Sequence, residues 1–233
     1  MGYAHFNLLP KELIRSELKC TLQNTQTNDF AAIKEVIRQN DFALVVSVDQ
    51  ATPIATHLLV ELEEGDRANL FLNSHMARNN PQWQTFDPNT EILTIFEGPH
   101  TYISPTWYRV HAVPTWNYLA VHAYGCPRII DDHTELYGIL QRLIDRHEKT
   151  SESATHYRLQ DSSAEFVESM VKGIVGFQIS INRLEANFKL SQNRNLEDYE
   201  RIIVELRKRP DENSHAVAEA MKRHRPGKKT VVE

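Results

Sequence analysis

The residues best equipped for chemistry lie close together between Gly98 and Gly125, in GPHTYISPTWYRVHAVPTWNYLAVHAYG. This stretch holds Trp107 and Trp116, four tyrosines (Tyr102, Tyr108, Tyr118, Tyr124) and three histidines (His100, His111, His122). Indole and phenol rings join a large apolar body to a polar tip, which suits the wall of a pocket for a flat ligand or a subunit interface. The same rings equally suit the core and rim of a barrel. Pro99, Pro105 and Pro114 interrupt the stretch, so it reads as short extended pieces joined by rigid turns rather than as one helix.

Several other chemistries are excluded by spacing. His147-Glu148 has Ser151 where a zinc-protease helix needs its second histidine. Cys20 and Cys126 are the two cysteines, too far apart for a zinc knuckle or a redox pair, and they read as reduced thiols. There is no glycine-rich phosphate loop and no Gly-x-Ser-x-Gly elbow.

The elements that must position these residues follow from hydropathy. Asn28-Asp29 precedes an apolar stripe at Phe30, Ile33, Val36 and Ile37, which predicts an amphipathic helix over 29–39. FALVVSV (42–48) reads as a buried strand, and 53–63 alternates as a strand with its core face on Ile54, Leu58, Val60 and Leu62. NLFLN (69–73) is the next strand, after which Ser74 is expected to cap a short helix that Pro81 limits. Further strands are expected at 91–96 and within 100–124. Helices follow at Asp132 to about Glu148 and from Ser162 to Gly173, each opened by a capping box. GFQISI is a late strand, Asn195 starts a helix ending before Pro210, and a short helix is expected from Ser214. Short strands joined by tight turns describe a mainly antiparallel β fold with peripheral helices, of the α+β class. The expected organisation is an N-terminal arm (1–28), a barrel domain with C-terminal helices (29–210), and a short helix with a basic tail (211–233).

A chain of 233 residues with a net charge of −5 can bury a full core without staples, and it is not a protein that binds nucleic acid over its whole surface. The exception is KRHRPGKK at 222–229, which is either a solubilising terminus or a local handle for DNA phosphates. No apolar run is long enough to cross a bilayer and the start MGYAHFNLLP is no signal peptide, so the expected location is the cytoplasm, with no membrane partner.

Four segments, ATHLLV (55–60), HMARNNPQW (75–83), FEGPHTYISPTWY (96–108) with VPTWNY (113–118), and KLSQNR (189–194), together resemble the PaiB-type FMN-binding negative transcriptional regulators. The resemblance spans roughly residues 29 to 208. It implies an FMN-binding split β-barrel, a homodimer with FMN near its interface, and a regulatory role in bacteria. The start of the chain departs from the family pattern, and Leu59 and Asn79 stand where a proline and a small residue are usual.

By resemblance the cofactor-binding residues are His57, Ser74, His75, Arg78, Asn79, Trp107, Trp116, Lys189 and Gln192. Arg78 would fork onto phosphate oxygens beside the helix expected after Ser74, with His75 as a further donor. His57 would border the ring system or simply pack. Trp107 and Trp116 would stack on the ring or seal the partner subunit, and Lys189 and Gln192 would approach the phosphate or the pyrimidine edge. The alternatives are a flavin-dependent oxidoreductase on the same barrel, with His57, His100 or Tyr102 as proton donor, and a haem-binding or cofactor-free member.

Overall fold

The computed structural model describes residues 27–66, 69–110, 112–149 and 155–225. The expected arm up to residue 26, His111, and the tail from Pro226 onward lie outside the described residues. In chain order the elements are α1 (Phe30–Gln39), β1 (Phe42–Asp49), β2 (Thr52–Glu64), β3 (Leu70–Ala77), β4 (Ile92–Ile103), β5 (Thr115–Ile130), α2 (His133–Glu148), α3 (Ala164–Lys172), β6 (Ile174–Lys189), α4 (Leu196–Arg207) and α5 (Glu212–Arg223). Short 3-10 helices occupy Pro81–Thr85, Pro105–Trp107 and Leu159–Asp161. The six strands close a barrel in the order β1-β2-β3-β6-β5-β4, the antiparallel architecture with peripheral helices that hydropathy predicts. Among the described residues one compact unit holds 40–96 and 122–184, and a second holds 27–39, 97–121 and 185–225. The chain of β4, β5 and β6 passes through both.

In the first unit β1 and β2 pair antiparallel from Phe42↔Leu59 to Asp49↔Thr52. The two residues left between them, Gln50 and Ala51, have φ of 45° and 69°, the left-handed pair that a two-residue hairpin needs. Along β3 Leu70, Leu72, Ser74 and Met76 are buried, so the alternation runs past the expected end of the strand. This corrects the reading of Ser74. It caps no helix: its hydroxyl sits inside the barrel and donates to the Leu59 carbonyl at 2.7 Å. The cap belongs to Asn80, whose side chain accepts from Gln82 N at 3.0 Å, and Pro81 opens the 3-10 helix instead of limiting one.

Helix α2 starts as its capping residues predict, with Asp132 Oδ1 accepting from Glu135 N at 2.7 Å. Its buried face, Leu136, Ile139, Leu140 and Leu143, forms one cluster with Ile130, Leu159 and Val171. Glycine at 176 makes this possible, because a Cβ there would lie 2.5 Å from Leu136 Cδ1. On the polar side Arg142 Nε reaches Glu61 Oε2 at 3.0 Å, and Arg128 Nη2 donates to Glu135 Oε1 at 2.6 Å and to Gln178 Oε1 at 2.9 Å. The α3 cap is Ser163, one residue later than expected, accepting from Phe166 N at 3.2 Å, and Gly173 ends the helix as expected.

In the second unit α1 buries Ala32, Ile33, Val36 and Ile37. Asn195 caps α4 and Asp211 caps α5, which begins two residues before Ser214. The two helices are joined by Tyr199 Oη donating to Met221 O at 2.6 Å. Asp198 is buried, and it accepts from Arg109 N and Asn195 Nδ2, each at 2.9 Å, which ties the Pro105–Trp107 segment to the start of α4. Pro99 does not interrupt its strand: β4 runs through to Ile103, while its pairing with β1 spans Leu93 to Ile95, short of the proline. A proline is tolerated where a flanking strand needs no N–H from it.

Two glycines should separate packing from propensity. A Cβ on Gly125 would lie 2.1 Å from the Ser180 carbonyl oxygen, on a backbone that cannot swing away. Gly125→Ala should therefore lower stability in urea unfolding by about 3 kcal/mol. A Cβ on Gly138, inside α2, meets nothing closer than Arg142 Nη1 at 3.7 Å. Gly138→Ala should raise stability by about 0.5–1 kcal/mol.

Candidate functional site

The site is organised by the chain that leaves β3. Arg78 N donates to Gly173 O at 2.9 Å, and its guanidinium donates from Nε to Lys172 O at 2.8 Å and from Nη2 to Ile174 O at 2.7 Å. Lys172 and Gly173 end α3, where carbonyls lack partners within the helix. One arginine thus completes the end of that helix. Among the described residues two of its five guanidinium N–H groups find partners, and three remain. Trp83 Nε1 donates to Arg78 O at 3.1 Å and fixes the turn from the other side.

Beside this junction is a recess of about 460 Å³, bordered by Arg78, Trp83, Asp131, His133, Val171 and Lys172. That volume lies within the usual range for small-molecule sites. Its lining residues include three basic side chains and one carboxylate, together with an indole and aliphatic groups. Lys172 also pairs with Glu168 at 2.7 Å. This arrangement suits an anion carrying a flat apolar body.

The expected residues divide between the two units. His57, Ser74, His75, Arg78 and Asn79 belong to the first, and Trp107, Trp116, Lys189 and Gln192 to the second. His57 is exposed, with its ring stacked on Phe42 at 5.6 Å, so it is no packed core histidine. Ser74 has already spent its hydroxyl inside the barrel. His75 lies opposite Gly176, its Nδ1 buried without a partner, and burial pushes its pKa below the ordinary 6.5. Asn79 is exposed in the turn, where the neighbouring Asn80 does the structural work by capping and by donating to Thr56 Oγ1 at 3.0 Å.

In the second unit Trp116 is 52% exposed, with His100 and Tyr102 ring centroids 6.2 and 6.3 Å away. Trp107 is half-buried in its 3-10 helix. Lys189 Nζ donates to Thr115 Oγ1 at 2.7 Å. Gln192 holds its own turn: Oε1 accepts from Leu190 N at 2.7 Å and Nε2 donates to Phe188 O, around Ser191 at φ 59°. Its amide thus makes one hydrogen bond at each end within this turn.

Trp83, His133 and Lys172 were not among the residues singled out from the sequence. Trp83 closes the HMARNNPQW segment, but His133 and Lys172 come from α2 and α3 and carry no local signal.

A family model described as "Putative FMN-binding domain" matches residues 21–183. The chain belongs to that family. It is 39% identical over 185 residues to the "Protease synthase and sporulation protein PAI 2" of Bacillus subtilis (strain 168), covering 79% of this chain and 87% of that protein. Among solved structures it is similar to the FAD and haem binding protein from Mycobacterium smegmatis, with TM-score 0.54 at 14% identity over 71% of this chain and 74% of the other. It is also similar to the flavocytochrome from Azotobacter vinelandii, with TM-score 0.53 at 14% identity over 80% and 81%. With the six-stranded barrel these likenesses give the fold as the split barrel expected from the four motifs. FMN is the cofactor named in the family's description, and the donors around the recess match its parts. A phosphate dianion suits Arg78, Lys172 and His133, and a flat ring suits Trp83 and the aliphatic wall.

The buried histidines give the fold a pH signature. Burial lowers the pKa of His75, and of His224 beside Phe188, below 6.5. The unfolded chain therefore takes up protons first as pH falls. The stability these groups contribute is complete above pH 6.5 and declines as pH drops through 6.5 toward their folded values. The urea midpoint should be flat from pH 8 to 7 and fall from about 6.5 to 5, and His75→Gln should reduce that slope. Asp87 and Asp211, whose pKa values are lowered by hydrogen bonds from neighbouring backbone N–H groups, begin to matter only near their ordinary 3.8.

Proposed function

We propose that this protein is a dimeric FMN-binding regulator whose flavin state alters its partners. The observation that carries the reading is Arg78, which is held in place by the carbonyls of Lys172 at the end of α3 and Ile174 at the start of β6 and, among the described residues, keeps three uncommitted N–H groups beside a recess with Lys172 and His133. These three side chains would hold the phosphate, and Trp83 with the aliphatic wall would flank the ring. Bound FMN would supply one- and two-electron redox chemistry, which makes occupancy sensitive to the redox state of the cell. The chain's own contribution is to bind the cofactor, orient it and shield it from water.

The regulatory part is supported by the 39% identity to a protein named for protease synthesis and sporulation. Dimerisation is supported by the exposed aromatic group around Trp116 and by Val113, which is 70% exposed on the approach to β5. Large apolar side chains concentrated on one surface mark an interaction site. A direct DNA role through the basic tail finds less support among the described residues. Lys222 pairs with Glu219, Arg223 with Glu35 and Arg225 with Glu200, which leaves little positive charge for a duplex.

Titration with FMN and with riboflavin tests the cofactor reading. The wild-type chain should prefer FMN by about 10- to 100-fold, the worth of one or two charge-assisted hydrogen bonds to phosphate. Arg78→Ala should remove most of that preference while binding riboflavin nearly as well as the wild type. Equal affinity for the two ligands in the wild type would overturn the phosphate assignment. Sedimentation of Trp116→Glu should show a monomer where the wild type sediments as a dimer.

A further inference from the structure

The weakest-seated element near the recess is α3. Val171 is its single buried residue, while Phe166 and Met170 are 54% and 41% exposed. A second cavity of about 350 Å³ runs along the same helix, bordered by Tyr137, Leu159 and Val167, and it shares His133 and Val171 with the Arg78 recess. A helix with so little buried surface and open volume beside it docks with a small free energy of its own. What anchors it is its two ends: Ser163 at the start, and at the finish Arg78, which bonds the last carbonyl of the helix, Lys172 O, and the two that follow it, Gly173 O and Ile174 O.

The guanidinium geometry makes that anchor relevant to binding. The Nε and Nη2 N–H groups on one edge are engaged by Lys172 O and Ile174 O. The end formed by Nη1 and the second Nη2 hydrogen is left uncommitted, and it is a fork of the shape that grips a phosphate. The last carbonyl of α3, with the first of β6, therefore orients the same group that would meet the anion, and both interactions can be made at once.

We propose that docking of α3 and occupancy of the Arg78 recess by a phosphate monoester stabilise each other, so that α3 reports whether the recess is filled. The proposal rests on the FMN reading for the identity of the ligand, and not for the coupling. Linkage makes the coupling reciprocal: what tightens α3 tightens the ligand by the same factor. The helix carries Phe166 and Met170 outward, so a change in its docking changes the surface offered to a partner.

Hydrogen exchange of residues 164–172 tests this, with FMN in one arm and inorganic pyrophosphate in the other. Each ligand should slow α3 exchange at least threefold in the wild type. Arg78→Gln should speed exchange in the ligand-free protein and abolish the slowing. Ser163→Ala removes the cap at the far end of the helix, about 13 Å from its last residue at 1.5 Å per residue. It should loosen α3 and weaken ligand binding at least threefold without touching the recess. Slowing by pyrophosphate alone, with no FMN binding, would retain the coupling and remove the flavin reading. No slowing by either ligand, or a Ser163→Ala variant with loosened α3 and unaltered affinities, would overturn the coupling.

Discussion

Everything in the first unit depends on β6 lying flush between β3 and β5. Strand order places it there, and two glycines supply the clearance: Gly125, where β5 meets the Ser180 carbonyl of β6, and Gly176, where β6 meets Leu136 of α2. The first lets the barrel close. The second lets α2 settle on the sheet with its apolar face in the Leu136–Leu143 cluster. Since α3 runs directly into β6 through Gly173, the same placement brings the α3 terminus beside Arg78. A strand register, His75↔Gly176, thus fixes where an arginine and three carbonyls meet.

The periodic elements were legible in the sequence because one physical rule dominates in each. α1, α2 and α4 combine a stripe at helical spacing with a capping residue, and β2 alternates with Val60 and Leu62 inward. Ser74 was misread because its type favours a cap while its position continues the β3 alternation, and burial of the even positions decided the outcome. The hydroxyl avoided the cost of burial by donating to Leu59 O. The better signal was Asn80-Pro81, a capping residue followed by the one residue type preorganised for the first helical position. Pro99 misled in the opposite direction, since a proline counts against a strand only where its missing N–H is needed.

The site was legible only in part. Arg78 could be chosen from a motif, but its hydrogen bonds to α3 could not, because they join positions 78 and 172–174 through tertiary packing. His133 and Lys172 reach the recess for the same reason. Gln192 shows what the motif did not carry: its amide bonds Leu190 N and Phe188 O in the turn around Ser191. The backbone N–H groups and carbonyls of a tight turn must be satisfied first, and the nearest polar side chain does so at lower entropic cost than a ligand can.

The aromatic stretch is sharpened by the same reasoning. Its rings do not share one environment: Tyr108 is buried with Arg194 over its ring at 4.4 Å, while Trp116 lies open beside Tyr102. A cation on a buried ring is a packing solution, one that holds the chain after Trp107 against α4 together with the Asp198 carboxylate. An open indole has no such role within its own unit, and leaving it in water forfeits the burial free energy of one of the largest apolar side chains. The stretch is therefore divided by residue: Ile103 and Tyr108 are buried in the second unit, while Tyr102, Val113 and Trp116 are exposed.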